Sequence, residues 1–368
     1  MTKSLARLAA VLMAGALAGV GVSGSAFAQM TSDGAQVAAP VLITANAQNG
    51  ALIIHLSAGK DAVIRYTLDG SAPTAASQVY YAPFLISSHV TLKAVAEKSG
   101  NLSGVTMQVF APNIAPGTLI WSDEFNNSSG ANAGPDAAHW TFDTGKGKFG
   151  NHELEHYCVW GEKTAPCSAA SPSVYVGTDN VLHIVAQRPS TGVYTSGRIK
   201  TQGLLSFQYG RVEARMKLPE TQGMWPAFWT LGNNITKVKW PACGELDIME
   251  HVDGSNPLSE GYDWIQGTIH GTDLDGGMQY HPSGFSAADW HTYGMIWTKG
   301  KVQFYVDDPS KVYATFTPDG QTGKWPFDDG PQFIILNLAV GGDWPGPPDA
   351  TTLFPAQMQV DYVRLYKN

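Results

Sequence analysis

The chain has 368 residues, 43% hydrophobic and 15% charged, with a formal net charge of −8. This is the composition of a folded globular chain, long enough for one large domain or two of ordinary size. Beyond the N-terminus no run of Lys or Arg stands out, which argues against nucleic acid and anionic membrane surfaces as partners.

The first element reads as a targeting signal over residues 1–28. Lys3 and Arg7 precede an apolar run from Leu8 to Val22, and Ala26-Phe27-Ala28 offers small residues for cleavage,. The run is short for an anchor, and nothing later reaches transmembrane length. A bacterial-type export to the periplasm or medium is expected, with a flexible segment over 29–37. In that oxidising setting Cys158 and Cys167, close in sequence around a Pro-containing segment, are expected to form a small-loop disulfide. Cys243 is left over and reads as a buried free thiol. No CxxC or HExxH pattern gives support to zinc,.

Residues 38–111 read as short strands. Ala51–Leu56 and Ala62–Leu68 are two of them, the turn dipeptide Asp69-Gly70 follows, and Thr91–Ala96 alternates with period two,. Such a series suggests a small immunoglobulin-like β-sandwich. The stretch Tyr66-Thr67-Leu68-Asp69-Gly70-Ser71-Ala72-Pro73-Thr74 resembles the signature of the chitobiase/β-hexosaminidase C-terminal-like domain, which implies an accessory module. It has no Trp, the preferred stacking platform for sugar rings, so a spacer is favoured over a sugar binder. A Pro-bearing stretch at 112–117 is expected to be the linker. All eleven Trp residues lie beyond it, between Trp121 and Trp344.

Residues 118–368 are β-rich as well. Arg211–Leu218 alternates strictly, with Val212, Ala214, Met216 and Leu218 on one face, and Lys301–Val306 does the same. Phe333–Val340 is apolar on both faces, as a central sandwich strand is. Val360–Tyr366 is the last strand. With no long amphipathic helix pattern and no internal repeat, the expected architecture is all-β: a large jelly-roll sandwich after the small one.

The chemistry concentrates in Gly244-Glu245-Leu246-Asp247-Ile248-Met249-Glu250. Side chains alternate along a strand, so Glu245 and Asp247 share one face and Leu246 and Ile248 the other. Strict alternation would place Met249, not Glu250, with the acids. A one-residue β-bulge at Ile248-Met249 would bring Glu250 round. Three acids on one face repel and raise one another's pKa. They also suit a solvated strand edge or a cation site. Retaining glycoside hydrolysis, however, needs one ionised carboxylate and one protonated carboxyl roughly 5–5.5 Å apart. Trp225 and Trp229, in Gly223-Met224-Trp225-Pro226-Ala227-Phe228-Trp229, favour that reading, because Trp-lined clefts grip sugar rings.

Glu245-Leu246-Asp247-Ile248-Met249-Glu250 resembles the E-x-D-x-x-E signature of glycoside hydrolase family 16. Trp121–Phe125, Trp225–Trp229, Gly267–Gly271, His291–Trp297 and Asn337–Gly342 resemble further blocks of the family, in its order. The resemblance covers residues 118–368 and implies a β-jelly-roll with the cleft across its concave sheet. It implies Glu245 as nucleophile, Glu250 as general acid/base and Asp247 as their assistant. Gly150-Asn151-His152-Glu153-Leu154-Glu155-His156-Tyr157 is similar to the N-N-E-L-Q-x-Y block of the laminarinase branch, departing from it at His152 and Glu155. By that analogy Asn151 and Glu153 bind glucosyl units distal to the cut, Trp225 and Trp229 line the cleft, and His270 lies near the acids. A structural Ca²⁺ on the convex side is implied near Glu124 and Asp361; no cofactor is needed for catalysis. The expected activity is endo-acting hydrolysis of β-1,3- or mixed β-1,3-1,4-glucan by a monomer whose partner is the polysaccharide. Agarase-type cleavage of a galactan and non-catalytic β-glucan recognition are the rivals. The first is disfavoured for sulfated substrates by the lack of clustered Lys/Arg, the second by the presence of all three acids.

Overall fold

Strands dominate the computed structural model, which describes residues 37–147, 149–190, 192–253 and 263–368. The expected signal at 1–28, and the flexible segment except residue 37, lie outside the described residues. Among these, the longest α-helix is the four-residue Ile235–Val238.

The N-terminal unit is a two-sheet sandwich. A three-stranded sheet runs Val41–Asn46, Leu52–Ser57, Phe84–Ile86. A five-stranded sheet is built around the antiparallel pair Val63–Thr67 and Val90–Lys98. Alternation decides what faces inward: Ile54 and Leu56 from one sheet meet Ile64, Tyr66, Leu92 and Ala94 from the other. Tyr66 stacks on Phe84 at 5.0 Å between centroids. At the Asp69-Gly70 turn the glycine takes a φ of 80°, a conformation that costs a residue with a Cβ,.

The linker segment 112–117 is held down rather than free. Ile114 is buried in the core of the larger unit. Lys367 Nζ donates to the Ile114 carbonyl, and the Gly117 N–H donates to the Lys367 carbonyl. One apolar residue between the two prolines is enough to hold the segment down. The small sandwich is docked by the same means. Ala51 and Leu85 join the larger core, the Leu85 N–H donates to the Ser206 carbonyl at 2.8 Å, and Ser206 Oγ donates to the Pro83 carbonyl at 2.6 Å. Deleting residues 37–117 should therefore lower the thermal midpoint of the remainder. Two or three re-exposed apolar side chains correspond to about 2–4 kcal/mol, or roughly 5 °C or more at this size. An unchanged midpoint in a thermal melt would show that the seam contributes nothing.

The larger unit is a jelly-roll of two stacked sheets. The cleft sheet has the order Thr141–Phe142, Arg198–Lys200, Gln332–Val340, Met224–Gly232, Glu245–Glu250, Ile265–Gly271, Leu274–Tyr280. The other sheet includes Gly210–Lys217 between Ala356–Tyr366 and His291–Thr298. Its inward residues Val212, Ala214, Met216, Met295 and Trp297 pack against Phe228, Leu246, Ile334 and Leu336 of the cleft sheet. Gln332–Val340 is buried at every position, as its two-faced apolar sequence requires. Ile334, Leu336, Leu338 and Val340 enter the core between the sheets, whereas Phe333 and Ile335 pack with Leu231 and Cys243 on the opposite side. Asn337 and Ala339 share that second face and form part of the cleft floor.

Candidate active site

The Glu245–Glu250 strand contains the expected bulge. Against Met224–Gly232, Trp229 pairs with Asp247 and Phe228 with Met249, so the register skips Ile248. Against Ile265–Gly271, Asp247 pairs with Thr268 and Glu250 with Gln266, two strand residues thus opposing Gly267. Burial explains the irregularity. Regular alternation would send Met249 into the cleft and Glu250 into the apolar core. With the bulge, Leu246, Ile248 and Met249 are all at most 1% exposed in the core, while the acids line the cleft. Burying a Met side chain is worth about 1.5–3 kcal/mol, and an unpaired carboxylate in its place would cost more.

Each acid is held differently. Glu250 accepts from Trp225 Nε1 at 3.1 Å and from Thr268 Oγ1 at 3.3 Å. Trp225 is itself braced edge-on against Trp344, centroids 5.5 Å apart. His270, on the neighbouring strand, places Nε2 3.3 Å from Asp247 Oδ2 and 4.0 Å from Glu245 Oε1. Its Nδ1 lies 2.6 Å from Asp275 Oδ1. His270 thus lies beside Glu245, Asp247 and Asp275. Burial pushes all three carboxyls up. Glu245 is raised first by burial and then by the charges of Asp247 and Glu250, with His270 and Arg198 pulling the other way. Asp247 is raised by burial, Glu250 and Asp275. Glu250 is raised by burial, partly offset by the Trp225 N–H, His270 and Thr268. Asp247 is buried and Glu245 and Glu250 half-buried, and carboxyls sharing one face resist ionising together, which favours a proton held among them.

The cleft encloses about 360 Å³ and is lined by Asn151, Glu153, Trp225 and Trp229 together with the acids. A polar ladder crosses its floor. Trp229 Nε1 donates to Asn337 Oδ1 at 2.7 Å, Asn337 Nδ2 donates to the Tyr157 hydroxyl at 3.3 Å, and Tyr157 donates to Glu153 Oε2 at 3.1 Å. Arg198 lies over the Trp229 ring at 4.7 Å and over Phe149 at 5.0 Å, and is held by Asp143 at 2.9 Å. Trp240 stands at the rim, 58% exposed.

The sequence carries no expectation for Arg198, Trp240 or Asp275, and Tyr157 enters it only as the last residue of the laminarinase-like block. Trp240 had a signal in its place beside Pro241 and the acid strand; Arg198 and Asp275 had none. The departure at His152 leaves an exposed residue, whose Nδ1 meets Asp343 at 2.9 Å. Cys158 and Cys167 are bonded, with Cα atoms 5.7 Å apart, and Cys243 is free and buried.

The expected calcium pair does not fit a cation. Both Glu124 oxygens accept from Arg364, at 2.9 and 2.7 Å, and Asp361 accepts from Arg215 at 2.8 Å. A guanidinium beside each carboxylate supplies the positive charge that a hard divalent ion would bring.

Residues 155–364 match the family described as glycosyl hydrolases family 16, and residues 44–107 match the chitobiase/beta-hexosaminidase C-terminal domain. The chain is similar to a beta-glucanase of Rhodothermus marinus, 37% identical over 270 residues, covering 68% of this chain and 85% of that one. It is also similar to glucan endo-1,3-beta-glucosidase A1 of Niallia circulans, 36% identical over 289 residues, which cover 70% of this chain but only 39% of that protein. The solved laminarinase catalytic domain of Thermotoga maritima aligns with a TM-score of 0.57 at 37% identity, covering 68% of this chain and 98% of that structure.

Proposed function

Because the chain belongs to glycosyl hydrolases family 16, we propose that it is an exported, endo-acting hydrolase of β-1,3- or mixed β-1,3-1,4-glucan that works with retention. The observation that carries the reading is the bulge, which sets Glu245, Asp247 and Glu250 together in a Trp-lined cleft. The similarity to a beta-glucanase and to a laminarinase domain supports the glucan.

Ionised Glu245 attacks the anomeric carbon while Glu250 delivers its proton to the departing glycosidic oxygen, leaving a covalent glycosyl-enzyme. Glu250, now a carboxylate, takes a proton from water, which displaces Glu245 and restores both groups. Glu250 suits the acid role because the Trp225 N–H and the Thr268 hydroxyl fix its orientation. Asp247, buried between the two, holds the shared proton against His270, which Asp275 orients,. Trp229 and Trp240 offer ring faces, and Asn151 and Glu153 offer polar groups, to sugar units on the far side of the cut.

The test is product release from laminarin, mixed-linkage β-glucan, agarose and carboxymethylcellulose, with the anomeric proton of the first product followed by NMR. Short oligosaccharides from laminarin, appearing first as the β anomer, are expected. First appearance of the α anomer would overturn retention, and cleavage of agarose alone would move the substrate to a galactan.

A further inference from the structure

Glu155 is the second departure from the laminarinase-like block, and the mechanism above does not use it. Its side chain is 1% exposed. Oε2 accepts the Val340 N–H at 2.6 Å, while Oε1 is buried without a hydrogen-bond donor to meet it. The side chain within hydrogen-bonding reach is that of Glu153, a cleft residue whose Oε2 already accepts from Tyr157. Two carboxylates cannot bond to each other, but a carboxylic acid and a carboxylate can, through one strong O–H···O⁻ bond.

We propose that Glu155 is a positioning residue that carries a proton at neutral pH and donates it to Glu153, holding Glu153 against the cleft wall where the glucan is gripped. The surroundings support the protonated form. Burial first, and then the Glu153 charge, push the Glu155 carboxyl up to about 8. Among the described residues, the other ionisable groups that bear on the pair are the Tyr157 phenol, which burial keeps protonated, and Arg198 beyond Tyr157, already held by Asp143. The strands Gln332–Val340 and Thr195–Ser196 bring no ionisable side chain. The acid thus does what an amide would do here, but only while protonated. Above about pH 8 two like charges face each other, one of them fully buried, and the ladder from Glu153 through Tyr157 and Asn337 to Trp229 loses its end support.

The inference rests on the glucan reading for its effect on binding, but not for the shared proton. Carboxyl carbons of ¹³C-labelled glutamates, with Glu155 assigned through bonds from its own backbone, should show it titrating near pH 8. KM for laminari-oligosaccharides should rise about tenfold between pH 7 and 9 in the wild type, because only the protonated fraction binds. In Glu155→Gln, whose amide donates permanently, that rise should vanish. Titration of Glu155 in the ordinary carboxyl range, or an identical KM rise in Glu155→Gln, would overturn the proposal. If no β-glucan is turned over while Glu155 still titrates near pH 8, the shared proton stands and the substrate reading falls.

Discussion

Glu245→Gln is expected to lower laminarin turnover on the order of 10⁴-fold, because the amide cannot form the covalent intermediate and no other route of similar rate replaces it. The fold should survive, and the thermal midpoint should rise. Glu245 is mostly buried, and its nearest ion-pair partner, His270, lies 4.0 Å away, so little attraction is lost. What disappears is repulsion with Asp247 and Glu250. The pH dependence follows from the direction of the shift. A carboxyl whose folded pKa is raised contributes most below its unfolded value, and that contribution falls as pH rises through the folded value. The gain of Glu245→Gln over wild type should therefore be larger at pH 8 than at pH 5, measured by thermal melts at both. The nucleophile assignment has a separate check. Glu245→Gly with azide and a dinitrophenyl oligoglucoside should form the α-glycosyl azide, since azide then attacks from the side the carboxylate vacated. A β-azide would place the nucleophile elsewhere.

The acid strand was the most legible part of the sequence, and for a physical reason. Leu246, Ile248 and Met249 are too apolar to leave the core, and Glu245, Asp247 and Glu250 too polar to enter it alone. No regular strand satisfies both, so the bulge is dictated by composition over six residues. Gln332–Val340 was legible in the same way, since only a strand covered on both faces tolerates Phe333, Ile334, Ile335 and Leu336 in a row. Side-chain partners were not legible, whether near or distant in sequence. Asp275 meets His270 because the adjoining hairpin pairs the two residues directly. The two acids expected to hold calcium are instead claimed by Arg364 and Arg215 through side-chain contacts that register alone does not give. Pro112 and Pro116 marked a linker, but their chemistry does not show that a single residue between them, Ile114, docks it.

Glu250→Ala is expected to cut laminarin hydrolysis by about 10²–10⁴-fold, the usual worth of a positioned general acid/base. Its pattern should differ from that of the nucleophile variant. With a dinitrophenyl leaving group, which departs without a proton, formation of the glycosyl-enzyme should stay fast. Hydrolysis of that intermediate should then limit turnover, because no carboxylate remains to take the proton from water. A burst of dinitrophenolate equal to the enzyme concentration, followed by a slow steady state, is the expected trace. Azide needs no general base, so it should accelerate the steady state and give the β-glycosyl azide, the product of two inversions. Trp225 and Thr268 lose the acceptor they share in this variant, so Glu250→Gln, which keeps an oxygen there, separates misplacement of Trp225 from loss of the proton. If Glu250→Gln hydrolyses laminarin near the wild-type rate while Glu250→Ala does not, Glu250 only supports the cleft wall and the acid lies elsewhere. If both lose laminarin turnover and Glu250→Ala keeps the burst, the proton that breaks the glycosidic bond comes from Glu250.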